Sequence, residues 1–446
     1  MHDLRRQALE SHKTVSKKAK SRSSRASSAA NSRTTSQAGS RHASDDEEGD
    51  LSDSTNWSIN SIDDMLALDV PEDASELWKQ ELTDRMEEII DRKRSSAQGR
   101  EVTLAQYVHI LMSHYALEEI RHKSSELFPA FLKSIKAENS EKETCLALRA
   151  IALTLITIPS ETIYDGIFQT LKRTYMDSEY PSVKAVTFHT LSAAAIYGGA
   201  SDIEIEEIMD DLLEVVESDG DSAGAADSGE VVAAACEAWG FLATSVDDLE
   251  DKTEAAMEAF VEQLESSDVS VQVAAGENVA LIYEKSYTER EEEDGPASAS
   301  DEEDEEGFAI DKSHVKRYDV YRQKHQLEQT LAQLATESSK RITKKDRKTL
   351  HTNFADILNT VEHPTRGPRY QKAIDQETGQ RYGSRLTVRI HKTGIMKIDK
   401  WWKLHRLQAL RRILGGGFVV HYEDNEVVFD SLPIMIAAPE GRKKKK

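Results

Sequence analysis

The stretch ETCLALRAIALTLIT, residues 143–157, is small and apolar on nearly every face of a helix, and three later stretches resemble it. These are SVKAVTFHTLSAAAIYG (182–198), EVVAAACEAWGFLAT (230–244) and SVQVAAGENVALIYE (270–284). The copies lie 40, 48 and 40 residues apart, and a period of about 40–47 residues is typical of HEAT and armadillo units. A helix that is apolar all round is expected to lie between neighbouring units. The superimposed residues include Ala150, Thr190, Ala238 and Asn278.

Amphipathic helices are predicted between the copies, over residues 161–176, 202–216 and 253–264. In the first of them, apolar residues recur at four-residue steps and form one helical stripe. One unit cannot bury such a stripe alone, whereas stacking against neighbouring units does so. The sequence therefore predicts a mainly α fold, an α-solenoid of HEAT/armadillo-like helical repeats over residues 75–287. The first stripe consists of Ile163, Ile167, Leu171 and Tyr175.

The net charge of −23 conceals a strong asymmetry along the chain. Residues 1–44 carry 10 Lys and Arg against 2 Asp and Glu. Residues 45–310 carry 18 against 63, and residues 311–446 carry 29 against 15. Charge separation of this kind bears on partners rather than on fold. The sequence pI of about 5.1 therefore does not exclude a nucleic-acid partner.

Composition also marks the segments that lack a core. The first 44 residues contain eleven serines and few aliphatic residues, and residues 289–306 contain eleven acids and one arginine. Both compositions predict disorder. Ser44 and Ser300 precede acidic runs, which suits either an acid-directed kinase site or a solvated tail. The predicted segments are a disordered Ser/Arg-rich, then acidic tail (1–74), the repeats (75–287), an acidic disordered insert (288–310), C-terminal solenoid or capping helices (311–362), a small basic α+β domain (363–436) and a basic tail (437–446).

Several features bear on location. No run of 18 apolar residues occurs, so no membrane span is expected, and the N-terminus lacks the apolar region of a secretory signal. Cys145 and Cys236 lie inside the repeated helices and are predicted to be buried free thiols in a reducing compartment. We expect a cytoplasmic and/or nuclear protein. The acidic, partly apolar segment 57–70 either docks on a partner or packs against the first solenoid helix.

The pattern changes towards the C-terminus. After predicted helices over 314–338 and 341–361, residues 385–391 alternate, 392–394 can turn and 395–399 can return, which predicts a hairpin. A helix is predicted over 400–414, and Gly415, Gly416 and Gly417 end it. A second hairpin is predicted from strands 418–422 and 427–429. The inward residues of the helix are Trp401, Leu404, Leu407, Leu410 and Leu414.

Three segments carry a resemblance to a known family: NFADILNTVE (353–362), GIMKIDKWWKLHRLQALRRILGGGFVVHY (394–422) and NEVVFDSL (425–432). Together with the helical part from EEIIDRKRSS (87–96) onward, they resemble the interferon-related developmental regulator family over residues 75–432. The resemblance implies an armadillo-like N-terminal domain, a small C-terminal domain and no catalytic activity. Members of that family are described as transcriptional co-regulators and as factors that occupy translationally idle ribosomes.

The residues themselves show no pattern of an active site. The three glycines follow a helix instead of opening one, so they do not form a phosphate-binding loop. His109 and His114 are five residues apart and do not have the i, i+4 spacing of a zinc-binding helix. No cysteine pair has the spacing of a metal site. We therefore expect no enzyme, no cofactor, no metal and no small-molecule substrate.

The basic C-terminal region is the candidate binding site, because Lys and Arg neutralise phosphates and exposed aromatic rings stack on unpaired bases. Adjacent helical side chains point about 100° apart. Since Trp401 lies three residues before Leu404, we predict that Trp401 is buried and that Trp402 is nearer the surface. The tail is either an RNA-contacting strand or a nuclear localisation element. The RNA-binding candidates are Lys397, Lys400, Trp402, Lys403, Arg406, Arg411, Arg412, Arg442, Lys443 and Lys444.

Two functional hypotheses follow. The first is a non-catalytic scaffold that associates with the ribosome or another RNA through its basic C-terminal domain and regulates translation, with protein partners on the solenoid surface. The alternative is a nuclear transcriptional co-regulator that bridges protein complexes through its helical repeats. Neither requires a membrane.

Overall fold

The structure is a computed structural model that describes residues 77–92, 95–291, 313–336, 343–374, 381–390 and 394–432. These residues belong to one compact unit of the chain. The predictions for residues 1–74, for residues 292–310 of the acidic insert and for the basic tail therefore lie outside the described residues. The same holds for Ser44, Ser300, Arg442, Lys443 and Lys444.

The chain enters the solenoid through α1 (Leu77–Ile90), α2 (Ala97–Ser113), the single-turn α3 (Leu117–Ile120) and α4 (Ser124–Ala137). The apolar pattern of residues 103–120 predicts one helix, but these residues belong to two helices, α2 and α3. Helix α2 begins earlier because Ser96 caps it, its Oγ accepting a hydrogen bond from the backbone N–H of Gly99 at 3.0 Å. It ends where His114 adopts an extended conformation.

The repeats form two rows of helices. The four copies are the inner helices α5, α7, α9 and α11, which pack on one another in chain order, and α6, α8 and α10 form the outer row. Every side chain from residue 143 to residue 157 is buried, as predicted for a helix between neighbours. The predicted α-solenoid is thereby confirmed. The bounds are α5 (Glu141–Thr157), α6 (Ile163–Asp177), α7 (Pro181–Gly198), α8 (Asp202–Glu217), α9 (Gly229–Ala243), α10 (Glu250–Gln263) and α11 (Val269–Lys285).

Equivalent positions in the copies make equivalent hydrogen bonds. The Thr190 hydroxyl donates to the carbonyl of Leu148 at 3.3 Å, as the longer branch of a bond that it shares with Val186 of its own helix at 2.9 Å. Asn278 donates its amide to the carbonyl of Cys236 at 2.8 Å. Each donor stands at the superimposed position, and Leu148 and Cys236 each lie in the preceding copy, two residues before that position. Because these groups are buried, the bonds fix the register of one inner helix on the next.

Beyond the repeats, β1 (Tyr287–Glu289) pairs antiparallel with β2 (His314–Lys316). The helix predicted over 314–338 is therefore too long: its first residues form a strand, and α12 spans only Lys324–Thr336. Helix α13 (Lys344–Glu362) packs against both α12 and α11. Its apolar stripe includes Phe354 and Ile357, which lie directly over Gly276 of α11. These two helices cover the end of the inner row.

From residue 370 onward, the residues that the structure describes form two short β-ribbons and three α-helices. Strands β3 (Tyr370–Ile374) and β4 (Arg381–Ser384) form a ribbon that the sequence did not predict. Strands β5 (Leu386–Ile390) and β6 (Gly394–Ile398) form the predicted hairpin. Helix α14 (Trp401–Leu414) is the predicted helix, and its five predicted inward residues are all buried. The turn that ends α14 contains Gly415, with φ +53°.

The prediction of a second hairpin is wrong, since the chain forms α15 (Phe418–Asp424) and α16 (Glu426–Ser431) instead. The run Phe418-Val419-Val420 has high β propensity, but tertiary contacts outweigh that preference. Asn425 caps α16 through its side-chain oxygen, and its amide donates to the carbonyl of Ile156 in α5 at 2.9 Å. His421 Nε2 lies 2.7 Å from the carbonyl oxygen of Leu111 in α2.

Helices α14, α15 and α16 lie against the inner row of the solenoid. Helix α14 contacts α11, α9 and α5, the glycine turn contacts α2, and α16 contacts α5. The segment therefore runs back along the repeats, from the last inner helix towards the first. These contacts join the C-terminal segment to the repeats.

Candidate nucleic-acid interface

The start of α14 is fixed by a buried carboxylate of the repeats. Glu284 of α11 accepts hydrogen bonds from the backbone N–H groups of Trp401 at 2.8 Å and Trp402 at 3.1 Å. A helix leaves its first N–H groups without intrahelical partners, so this carboxylate acts as a cap supplied by another helix. Trp401 is 1% exposed, and its indole N–H donates to the hydroxyl of Thr360 at 2.8 Å. The prediction that Trp401 is the buried tryptophan is confirmed.

A row of polar residues continues along the inner helices beneath α14. These polar residues all occupy the same position of the repeat, one residue before Ala150, Thr190, Ala238 or Asn278. Glu277 accepts from the Gln408 amide at 3.0 Å, and Glu237 forms an ion pair with the guanidinium of Arg412. His189 lies 3.4 Å from the carboxylate of Glu237. This polar row consists of Arg149, His189, Glu237 and Glu277, and we call it the polar ladder.

The polar ladder was visible in the sequence but was not recognised. Each of its members is a charged or titratable residue in an otherwise apolar helix, at one repeated position. Burying such groups is costly unless they are paired, so their recurrence indicates partners on another element. For Glu277 and Glu237 these partners are Gln408 and Arg412 of α14. The turn that follows α14 lies close to Arg149, since a Cβ added to Gly415 would be 3.5 Å from the Arg149 guanidinium.

Three of the predicted RNA-binding residues instead make contacts between α14 and other parts of the chain. Arg412 is 6% exposed and is held by Glu237. Arg406 donates to the hydroxyl of Thr244 at 3.0 Å and to the carbonyl of Ser431 at 2.7 Å. Arg411 is half-buried, with its guanidinium 5.7 Å from the centre of the Phe418 ring. The structure therefore does not bring these three arginines into one exposed cluster with the lysines.

The remaining described candidates lie at the junction of β6 and α14. Lys397 is exposed, whereas Lys400, Trp402 and Lys403 are half-buried. Lys403 pairs with Asp399 at 2.6 Å. The Lys403 ammonium lies 5.6 Å from the centre of the Trp402 ring, and the Arg406 guanidinium lies 5.3 Å from it. Trp402 is more exposed than Trp401, as predicted.

The two ribbons carry further basic residues that the sequence analysis did not single out. In β5 the side chains alternate, so that Leu386, Val388 and Ile390 are buried while Thr387 and Arg389 are exposed. Across the ribbon, Thr387 pairs with the exposed Lys397. Arg385, next to β5, and Lys372 of β3 are also exposed. We call the exposed set Lys372, Arg385, Arg389 and Lys397 the basic ribbon face. In the sequence, this face is indicated by the alternation of apolar and polar residues in RLTVRIH, where the arginines occupy polar positions.

The charge around this face differs from that of the repeats. Residues 366–403 carry ten Lys and Arg against three Asp and Glu. Helix α8 of the outer row carries eight acids and no basic residue. The region of the basic ribbon face and helix α8 therefore carry charges of opposite sign.

Other kinds of site have little support in the part of the chain that the structure describes. Among those residues, no group of three or more His, Cys, Asp or Glu side chains is arranged to hold a metal ion. No described helix is long and apolar enough to cross a bilayer. Cys145 and Cys236 are buried and free, as predicted, and burial raises the pKa of both thiols.

The buried carboxylate of Glu277 predicts a pH dependence of stability. Burial raises its pKa to about 7, whereas a glutamate in an unfolded chain titrates near about 4.3. The folded state therefore binds this proton more tightly, and the associated stability is lost as the pH rises from about 4.3 through about 7. Glu277→Gln can still accept from Gln408 but does not titrate. We expect the variant to match the wild type at pH 4 and to be more stable by about 1–3 kcal/mol at pH 8. Urea unfolding at both pH values measures this, and an equal stability difference at both would contradict it.

The fold and the polar ladder define an α-solenoid whose inner row is covered by the chain's own C-terminal segment. Comparison with known proteins gives the family. The model of the interferon-related developmental regulator family matches residues 38–362, so the chain belongs to that family. This confirms the resemblance found in the sequence, although the match ends before the C-terminal segment.

Individual relatives cover more of the chain. An uncharacterised protein of Schizosaccharomyces pombe is 30% identical over 371 residues, which cover 82% of this chain and 76% of the relative. Interferon-related developmental regulator 1 of Homo sapiens is 23% identical over 411 residues, covering 88% of this chain and 81% of the relative. The Sus scrofa protein of the same name is 24% identical over 411 residues, covering 88% and 82%. The printed names of the two mammalian relatives are those of regulators.

Proposed function

We propose that this chain is a non-catalytic regulator of translation that associates with ribosomes and contacts RNA through the basic ribbon face and the adjoining Lys400 and Lys403. The observation that carries the proposal is the charge distribution. Residues 366–403 carry ten Lys and Arg against three Asp and Glu in a chain whose net charge is −23. Neutralising phosphates releases counterions, which favours association with RNA.

The repeats have a different role in this proposal. The inner row is already covered by α14, α15 and α16, so the surface left for protein partners is the outer row and the two ends. The acidic helices α8 and α10 of the outer row keep RNA from coating the whole molecule. RNA binding is thereby restricted to one end, which gives the complex a defined orientation.

Sucrose-gradient sedimentation with idle monosomes at low salt tests the proposal. The ribbon variant is Arg385→Ala/Arg389→Ala/Lys397→Ala. The control variant, Arg121→Ala/Lys133→Ala/Lys136→Ala, removes the same charge from exposed positions on and beside α4. We expect the wild type and the control variant to sediment with monosomes, and the ribbon variant to stay largely at the top. A wild-type protein that stays at the top would refute the proposal.

The alternative function, a transcriptional co-regulator that acts through its repeats, makes a different prediction. Its partners would be recovered equally well in affinity purification with and without ribonuclease. Ribosomal proteins recovered only without ribonuclease would instead support the RNA-dependent association.

A further inference from the structure

We propose that the basic ribbon face binds the phosphate backbone of double-stranded RNA and does not read unpaired bases. This inference rests on the function proposed above, because it takes RNA as the partner. It goes further by naming the form of RNA and the way in which the face recognises it. Four features of the ribbons support it: the spacing of the charges, their rigid mounting, the state of the nearby aromatic rings and the exposed hydroxyl of Thr387.

Two of the charges, Arg389 and Lys397, have a defined spacing on the hairpin. Thr387 and Arg389 stand two residues apart on one face of β5, which is about 6.8 Å along a strand. Lys397 lies directly opposite Thr387 in the register of β5 and β6. Arg389 and Lys397 are thus diagonal neighbours, about 7–8 Å apart at their Cα atoms. A pattern of fixed cations suits the regular phosphates of a helical duplex better than a flexible single strand.

The charges are also mounted rigidly. The inner side chains of the hairpin, among them Val388, Met396 and Ile398, are buried. The two ribbons are joined as well, since the Arg385 guanidinium donates to the side-chain oxygen of Gln371 in β3 at 3.0 Å. A Cβ on Gly383 of β4 would stand 3.9 Å from the Lys397 ammonium. A platform held in this way binds a rigid partner without losing conformational freedom of its own backbone.

The aromatic rings described near this face do not offer a stacking surface. Proteins that bind single strands stack successive bases on exposed aromatic side chains. Here Trp401 is buried, and Trp402 has the cations of Lys403 and Arg406 against its ring. Tyr370 has the Arg366 guanidinium 5.0 Å from its ring centre. An unpaired base would have to displace a cation from Trp402 or Tyr370 to stack there.

Double-stranded RNA presents the complementary surface. Its major groove is too narrow for side chains, and proteins recognise it mainly by its phosphates and 2′-hydroxyl groups across the shallow minor groove. Lysine and arginine supply the phosphate contacts, and the exposed Thr387 places a hydroxyl among them. Backbone contacts of this kind carry little sequence information. The face therefore binds duplexes of unrelated sequence with similar affinity.

Fluorescence anisotropy with the full-length chain tests the inference. The probes are a labelled RNA duplex of about 20 base pairs and its two unstructured strands alone, measured over a range of salt concentrations. We expect the duplex to bind at least about fivefold more tightly than either strand. The ribbon variant should weaken duplex binding at least about tenfold and reduce the salt slope by about 2–3, because three phosphate contacts are lost. The control variant should change the affinity less than about twofold.

The results separate the two proposals. A strand that binds as tightly as the duplex, or a ribbon variant that binds the duplex like the wild type, overturns the inference while RNA association stands. If the wild type binds neither form of RNA and also fails to sediment with monosomes, the proposed function fails as well. If the duplex binds more tightly than the strands and only the ribbon variant loses this binding, both the proposed function and the duplex inference are supported.

Discussion

Gly417→Ala is expected to destabilise the protein by about 3 kcal/mol, because a Cβ at this position would overlap the carbonyl oxygen of Met112 in α2. The obstacle is main chain, so no change of rotamer can relieve it. The glycine turn between α14 and α15 would have to move away from the solenoid. Because Gly417 begins the segment that contains α15 and α16, their contacts with α2 and α5 would be lost together.

Gly416 provides a matched control in the same turn. A Cβ there would meet nothing within 4 Å, and the residue is exposed. Gly416→Ala is therefore expected to change the free energy of unfolding by less than about 1 kcal/mol. Urea unfolding followed by circular dichroism compares the two variants. Equal effects of the two substitutions would show that the turn does not press against α2.

The second large effect is expected from Arg412→Leu, at about 2–4 kcal/mol. The variant leaves Glu237 next to α14 without its cation, and removing one partner of a largely buried ion pair is more costly than removing both. Burial raises the pKa of Glu237, and the Arg412 guanidinium opposes that shift. In the variant the Glu237 carboxyl group either stays charged with only His189 beside it or takes up a proton, and both outcomes lower stability near neutral pH.

A double-mutant cycle isolates this interaction. Arg412→Leu/Glu237→Leu removes both charges and is expected to recover most of the stability, with a coupling energy of about 1–3 kcal/mol. Arg412→Lys keeps a charge but loses the planar fork, so an intermediate loss is expected. Strict additivity of the two leucine substitutions would show that α14 is not held through the polar ladder.

The repeats could be predicted because their signal is local. Each copy carries its own run of small apolar residues, and the periodicity of α14 likewise placed Trp401, Leu404 and Leu407 inward. The hairpin of β5 and β6 was also predictable, since alternation and a turn lie within a few residues. In these cases the sequence contains both the pattern and its partner.

The position of the C-terminal segment could not be predicted in this way. Glu237 is recognisable as a charge in an apolar helix, but nothing near it in the chain identifies Arg412 as its partner. The strands proposed around Val419 and Val428 failed for the same reason. Their local preference for β structure was outweighed by contacts of His421 and Asn425 with α2 and α5. Arg406 and Arg412 were consequently assigned to RNA, although their observed partners are groups of the chain itself.

Hydrogen–deuterium exchange with and without the RNA duplex tests the central claim most directly. Without RNA, residues 401–432 should be as strongly protected as the inner helices, because they are packed on them. With RNA, slower exchange should be confined to residues 370–403. Rapid exchange of residues 401–432 in the free protein would contradict the packing described above. New protection in α14 with none in the ribbons would contradict the assignment of the binding face.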